Sequence, residues 1–501
     1  MLHQRSLTTL ALTLALSSSV LADTITVGQG GGFDYTRIQS GINAAFNGDK
    51  IKVYPGSYNE NINFLGKSIK VFSKDGSNNT IIDGQNTGSV VTFDSGENKN
   101  AQLEGFTIQN GSGDSLLNND HLGGGILIIG SSPEILDCVI KNNQADYGGG
   151  ICVYDTAEPY IEKCKIENNY ATSDGGGGGI YIDFGQVEMK NTKISSNFSG
   201  AEGGGLKAFR ANLYFTKCTF EQNAADKSGG GAMALQSTGY FDDCTFTKNE
   251  GQYGGGISLE NSTVDLNDSD FKKNTARKSG AGAQITQSSK TTISKCDFIK
   301  NDAQDDGGGI YIRGDADADL EKCKLKSNEA KNYGGGIAVN NGSVYSNKSK
   351  IDKNVALLSG GGLDLNNASC LIVDTQFKQN EALLGGGIGS SNSTIDIRFG
   401  SVQKNNATDQ GGGFFLANSD FALLSLKVVK NDSTDDGGGI YMQSSSGTIT
   451  DGSIKDNTAK KGGAIRVKNA YVLISGSTIC NNSPDNIKGS YINGNNNDIC
   501  N

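Results

Sequence analysis

The stretch Cys244–Leu259, CTFTKNEGQYGGGISL, carries the pattern that decides the fold. It reads apolar residue, two variable residues, asparagine, any residue, small residue, short spacer, glycine triplet and a further apolar residue. Varied copies recur from about residue 126 to residue 482. The apolar residue after the glycines runs from Ile126 through Ile257 to Ile465 in 14 copies, a mean step of about 26 residues. The asparagine keeps the same step, at Asn143, Asn169, Asn197, Asn223, Asn249, Asn274, Asn301, Asn328, Asn354, Asn380, Asn405, Asn431 and Asn457, and again at Asn482. Two residue types locked to one period specify a repeat architecture.

The unit cannot be helical, because glycines interrupt every copy and each glycine inside a helix costs about 1 kcal/mol. Between the glycines lie short alternating pieces such as Ile257-Ser-Leu259, Val264-Asp-Leu266 and Ile310-Tyr-Ile312. Alternation with period two predicts strands buried on one side. Three such strands with their turns fill the repeat, which predicts one coil of a parallel β-helix with coils roughly 4.8 Å apart. The asparagines then form a ladder bonding the coils above and below. The small residue two places later (Ala145, Ala171, Ser199, Ala225, Gly251) suits a tight bend. The glycines permit positive φ and close backbone approach. A phosphate-cradling loop is the other use of such glycines, but no Lys-Ser/Thr follows them.

Gly-Gly-Gly-Ile paired with Phe-x-x-Asn, at Phe220–Asn223, Phe246–Asn249, Phe271–Asn274, Phe298–Asn301 and Phe377–Asn380, resembles the repeat of chlamydial polymorphic outer membrane proteins. Similar repeats occur in secreted right-handed β-helix proteins. The resemblance covers roughly residues 105–482 and implies an all-β, right-handed parallel β-helix and, in the chlamydial case, a surface-exposed adhesin. The chain departs from that family at its end, where GNNNDICN is polar and offers no barrel strand.

Residues 1–22 read as a secretory signal peptide, with Arg5, the apolar run Leu7–Leu16 and small residues around Val20-Leu21-Ala22. That run is too short to span a bilayer, so the mature chain is expected to be exported without a transmembrane segment. Residues 23–100 read as an N-terminal cap and first coils. A helical piece places Ile38, Ile42, Ala45 and Phe46 on one face, and strand patterns follow at Ile51–Val53, Ile62–Phe64 and Ile69–Val71. Ile38-Gln39, Gly48-Asp49, Pro55-Gly56, Tyr58 and Glu60-Asn61-Ile62 resemble the N-terminal cap of pectin-lyase-like proteins, pectinesterases included. Residues 101–482 are the repeats. Residues 483–501 break the period and read as a polar C-terminal cap of the kind repeat arrays need.

Six of the 10 cysteines (Cys138, Cys164, Cys218, Cys244, Cys296 and Cys323) sit two residues before the apolar motif residue, facing inward. They fall as neighbours on adjacent coils and admit two readings. Stacked disulfides suit an exported chain. Buried thiols interchangeable with Thr192, Ser269, Ser349 and Thr375 are the favoured reading. Cys480 and Cys500 are a separate disulfide candidate that would clamp the C-terminal cap. No Cys-x-x-Cys occurs, so cysteine metal ligation is not expected.

Net charge −10 and a pI near 4.9 argue against nucleic acid or an anionic membrane as partner. Sequons such as Asn110, Asn197, Asn261, Asn392 and Asn406 matter only in a eukaryotic source. Past residue 22 the one histidine is His121, which leaves no basis for histidine acid–base chemistry or a histidine metal site; before a glycine triplet it reads as a turn residue. Pectinesterase motifs are missing: Asp183-Phe184-Gly185 is a fragment of one, and without tryptophan another cannot exist. The acidic pairs Asp242-Asp243, Asp305-Asp306 and Asp435-Asp436 read as solvated turns, with weak Ca²⁺ binding the one metal interaction they suit. Arg313-Gly314-Asp315 falls in a turn. Tyr147, Tyr253 and Tyr333 read as exposed turn tyrosines. No catalytic, cofactor or metal residue is assigned. The expectation is a secreted or cell-surface β-helix that binds an extracellular glycan or protein surface without catalysis, or serves as a structural scaffold. The alternative is a polysaccharide lyase or other carbohydrate-active enzyme, which would show acidic and basic side chains converging on adjacent coils of one face.

Overall fold

A computed structural model describes residues 22–500, apart from residue 118 and the side chains at 116, 117, 173 and 174. The signal-peptide reading of residues 1–22 lies outside this range except for its last residue. The chain winds as a parallel β-helix of about 18 turns spaced about 26 residues apart, with one short helix. In the coil that starts at Ile257, sheet 1 is Ile257–Glu260, sheet 2 Thr263–Asn267, sheet 3 Asp270–Lys272 and sheet 4 Thr275–Ala276. Equivalent residues pair in register, Ile257 with Ala283 and Phe271 with Phe298. The stacked rings of Phe220, Phe246, Phe271 and Phe298 measure the coil rise directly, at 4.6–4.8 Å with planes within 4°.

The expectation of three strands per coil is corrected to four. The small residue after each asparagine does not bend the chain. It lies in a two-residue strand, Ala224–Ala225 or Thr275–Ala276, and the turn waits for the glycines. At the triplet, Gly254 has φ +57°, and a Cβ on Gly256 would lie 2.4 Å from the Gly282 carbonyl oxygen of the next coil. Only glycine lets coils approach so closely.

The other corners share one device. Asn261, Asp268 and Lys273 turn the chain with φ of 47°, 44° and 55°. The residue after each, Ser262, Ser269 or Asn274, then points into the core and must find partners for its polar groups. At the third corner the partner is the asparagine ladder. The Asn249 backbone N–H donates to Asn274 Oδ1 at 3.0 Å; its Nδ2 donates to the same oxygen at 3.1 Å and to the Phe220 carbonyl at 2.9 Å. The ladder starts where Gly111 N–H donates to Asn143 Oδ1 and ends at Asn482. At the second corner, cysteine, serine and threonine do the same work: Cys244 N–H donates to Ser269 Oγ at 3.0 Å and Cys218 N–H to Cys244 Sγ at 3.4 Å. The six column cysteines are free thiols, as are Cys152 and Cys370.

The helix, Ile38–Ala44, covers the open first coil. Glu60 accepts the N–H of Ile38 and Gln39 at 2.7 and 3.1 Å, and Lys67 Nζ donates to the carbonyls of Ile42, Asn43 and Ala45. Charges of opposite sign therefore meet the two ends of the helix dipole. Ile38, Ile42 and Ala45 are buried, but Phe46 is 73% exposed. The helix has ended and Ala45 is extended, so the expected fourth contact is lost. At the other end the segment read as breaking the period forms one shortened coil. Ile487–Lys488, Ile492–Asn493 and Asp498–Ile499 pair onto sheets 1, 2 and 3. The Cys480–Cys500 disulfide, with Cα atoms 4.9 Å apart, ties it to the coil below. Among the described residues no helix is long and apolar enough to cross a membrane.

Candidate functional site

A strand of sheet 1 turns its first and third residues to the core. Its second residue points outward yet is also buried: Ser258, Asp364 and Tyr441 are each at most 7% exposed. The cause is the glycine triplet, whose first member folds back onto this position, so that a Cβ on Gly254 would lie 2.7 Å from Ser258 Cβ. A second, narrow seam therefore runs along the rod outside the main core. The alternating sequence gives no hint of it, since alternation predicts a solvent-facing second residue.

The seam changes character along the rod. Near its start Leu122, Leu127, Cys152 and Tyr181 make it apolar, and Tyr147 packs there with its ring 4.9 Å from that of Tyr181. The reading of Tyr147 as an exposed turn residue is corrected accordingly. Near its end Phe415 and Tyr441 stack at 5.4 Å, and buried Asp436 accepts from Arg466 Nε at 3.2 Å.

Midway the seam opens into a cleft of about 430 Å³ lined by Tyr253, Glu260, Gln284, Gln287, Arg313 and Gly314 among others. Gln284 is buried, its Oε1 accepting from Ser258 Oγ at 3.0 Å. Burial raises the Glu260 carboxyl above its ordinary value, helped by Glu202 and opposed by the Gln287 amide. Lys278 Nζ lies 5.3 Å from the Tyr253 ring centre, so that tyrosine is half-buried rather than a free turn residue. Tyr333 is exposed as expected.

Further along, burial and then Asp305 push Asp306 up to about 6. Burial pushes Asp364 up to about 7, with Asp306 adding to it and the Ser359 hydroxyl opposing it. Burial first, and then Asp306, raise the Tyr311 hydroxyl. Asp364 has room because its neighbours in the column are small, Ala338 and Gly389. A Cβ on Gly389 would lie 2.0 Å from Ser359 Oγ and 2.8 Å from Asp364 Oδ1. Carboxyls that titrate near neutrality can take up or release a proton under working conditions. Glu260, Lys278, Asp306, Arg313 and Asp364 are thus spread along one face, with Glu260 and Asp364 four coils apart, and of these only Asp306 acts on Asp364.

The remaining sequence candidates scatter. The three acidic pairs do not meet: Asp243 turns the second corner with φ 51°, Asp306 lies in the seam, and Asp435 pairs with Lys460 at 3.6 Å. Asp306 and Asp436 are therefore not solvated turn residues. His121 is in a short strand, Asp120–Leu122, rather than a turn, with Nδ1 3.2 Å from Asp146 Oδ2. Of Arg313-Gly314-Asp315, the first two residues line the cleft and the third is a corner at φ 59°. Among the described residues the one triad able to hold a metal is Cys480, Asp498 and Cys500, whose sulfurs are joined to each other. Glu260, Gln284 and Asp364 escaped sequence reasoning. Aligning the coils by the residue after each glycine-triplet isoleucine would have exposed Asp364 as the acid of that column.

The family model for the right-handed beta helix region matches residues 171–304 and 255–429, together more than half of the chain. No curated protein matches it in sequence. Several solved structures resemble it. Pectin methylesterase from carrot is 15% identical, with 50% of this chain and 75% of that one covered at a TM-score of 0.28. The N-terminal fragment of bacteriophage phi29 gene product 12 is 10% identical, with 89% and 88% covered at 0.27. The A-module of Azotobacter vinelandii mannuronan C-5 epimerase AlgE4 is 11% identical, with 87% and 92% covered at 0.22.

Proposed function

Since this chain belongs to the right-handed β-helix family, we propose that it works as a rigid rod, secreted or held at the cell surface, that binds an extracellular glycan or protein surface without catalysis. The observation that carries this reading is the seam cleft, where Gln284, Gln287, Glu260 and Arg313 present amide, carboxylate and guanidinium groups from successive coils. A register fixed by the asparagine ladder holds such groups at set spacings, and that preorganisation favours binding. The resemblance of the repeats to those of chlamydial polymorphic outer membrane proteins supports the adhesin form of the reading.

A second reading, a carbohydrate-active enzyme, is favoured by one observation: Asp306 and Asp364 hold carboxyls at about 6 and about 7 in the same seam. One experiment separates the two. The purified protein is incubated with neutral and acidic polysaccharides, with and without Ca²⁺, while reducing ends, unsaturated products and retained binding are measured. Binding without product is the expected result. Turnover that Asp364→Asn abolishes would overturn the non-catalytic reading and leave the enzyme.

A further inference from the structure

We propose that the corner at Phe399 is a platform for a pyranose ring of a neutral glycan, on a different face of the rod from the seam. The second corner of every coil demands a positive φ, and the chain meets it with polar residues such as Asp268, Lys295, Lys348 and Asp374, or further on Asp451. Phe399 occupies the same place at φ +60° and is 58% exposed. A bulky side chain in that conformation is strained, and residues that keep such strain cluster at functional sites. Burial does not offset it here.

The comparison with Phe184 sharpens the point. Phe184 is the other phenylalanine at a positive-φ corner in the repeats, at +54°. Its ring, 48% exposed, has partners within the chain, the Arg210 guanidinium at 5.0 Å and Phe209 edge-on at 6.1 Å. Among the described residues no ring or cation packs on Phe399, so its face is free for a ligand.

Beside it lies a cleft of about 470 Å³ lined by Phe399, Asp374, Gln376, Ser401, Gln403 and Lys427 among others. Gly400 also lines the cleft; it stands in the inward column where other coils carry cysteine, serine or threonine, and a Cβ there would lie 2.4 Å from the Thr375 carbonyl oxygen. A flat apolar ring bordered by amides, hydroxyls and one charge of each sign complements a ligand with a flat C–H face and a rim of hydroxyls. Asp374 and Lys427 balance, so the cleft selects no net charge, and the net −10 of the protein repels anionic polymers.

This subsite deepens the binding reading and rests on it. The test measures binding of the full chain to soluble cello-, malto-, manno- and xylo-oligosaccharides by calorimetry and saturation-transfer NMR, together with thermal melts. Phe399→Asn supplies the type of residue the corner prefers, so it should raise Tm while weakening binding at least tenfold; Phe399→Tyr should keep both properties of the parent. Binding that survives Phe399→Asn but is lost in Gln284→Ala would overturn the proposal and leave the seam as the site. Binding of no oligosaccharide would overturn it too, while retained attachment to cells would keep the rod reading for a protein partner.

Discussion

Replacing Asp364 with asparagine should stabilise the protein at pH 8 and leave it unchanged at pH 4. Burial first, and the charge of Asp306 second, hold the carboxyl at about 7 against an ordinary 3.8. A carboxyl raised in the folded state binds its proton more readily there than in the unfolded chain. Its contribution to stability is full below about 4 and falls as pH rises through about 7. At 1.36 kcal/mol per pH unit, keeping Asp364 ionised at pH 8 costs on the order of 4 kcal/mol. Asparagine keeps the shape, can still bond Ser359 and carries no charge. With about 2 cal/mol/K of unfolding entropy per residue, a chain of this size gains roughly 4 °C in Tm from that energy. Thermal melts by circular dichroism at pH 4 and 8, at matched ionic strength, read the difference. Equal shifts at the two pH values, or none at pH 8, would refute the reasoning, because a packing effect does not follow the titration. Asp306→Asn should act in the same direction but more weakly, since Asp306 is less buried and its fall ends nearer pH 6. The double variant should gain less than the sum, because Asp306 is itself one cause of the Asp364 shift.

Asn274→Ala should destabilise by roughly 2–5 kcal/mol in denaturant unfolding, since it strands the Asn249 N–H and one Asn249 Nδ2 proton in the core and takes one donor from the Phe246 carbonyl; a loss below about 1 kcal/mol would show that the ladder is decorative. Reducing Cys480–Cys500, whose partners are 20 residues apart, should cost about 3 kcal/mol in the chain-entropy picture and speed amide exchange in the last coil. Exchange that spreads evenly along the rod would contradict a local clamp. The eight free thiols should resist a thiol reagent in the folded protein and all react once it is unfolded, because they are buried and burial pushes Cys370, for example, up to about 12. Fewer than eight after unfolding without reductant would reveal stacked disulfides.

The main core was legible because the sequence writes it in two periods at once. Ile257 and Leu259 alternate along a strand, and Ile257 repeats at Ala283 one coil on, so both the strand and its stacking partner can be read off. The asparagine ladder was legible for the same reason. Sheet 4 was not: two residues such as Thr275–Ala276 are too few to alternate. Phe46 misled because its spacing from Ile42 suits a helix that in fact stops at Ala44. The seam was hidden for a deeper reason. Ser258, Gln284 and Asp364 are buried by a fold-back of backbone at the glycines, and no side-chain pattern records it.

That difference bears on where function can reside in such a rod. Each inner column is constrained by the coils on both sides. Leu426, for instance, stands in the second-corner column where Thr375 and Ser477 stand elsewhere, and it is flanked there by Gly400 and Gly452, so one large residue is matched by two absent side chains. The seam and the corners carry a weaker constraint, since the seam lies outside the main core and the corner side chains point away from it. They can change from apolar at Leu127 to acidic at Asp364 to aromatic at Tyr441 without disturbing the ladder. The repeat therefore supplies the register, and the departures from it supply the chemistry. Asp364, with room left by Ala338 and Gly389, is a departure of this kind in the seam, and Phe399 is one at a corner.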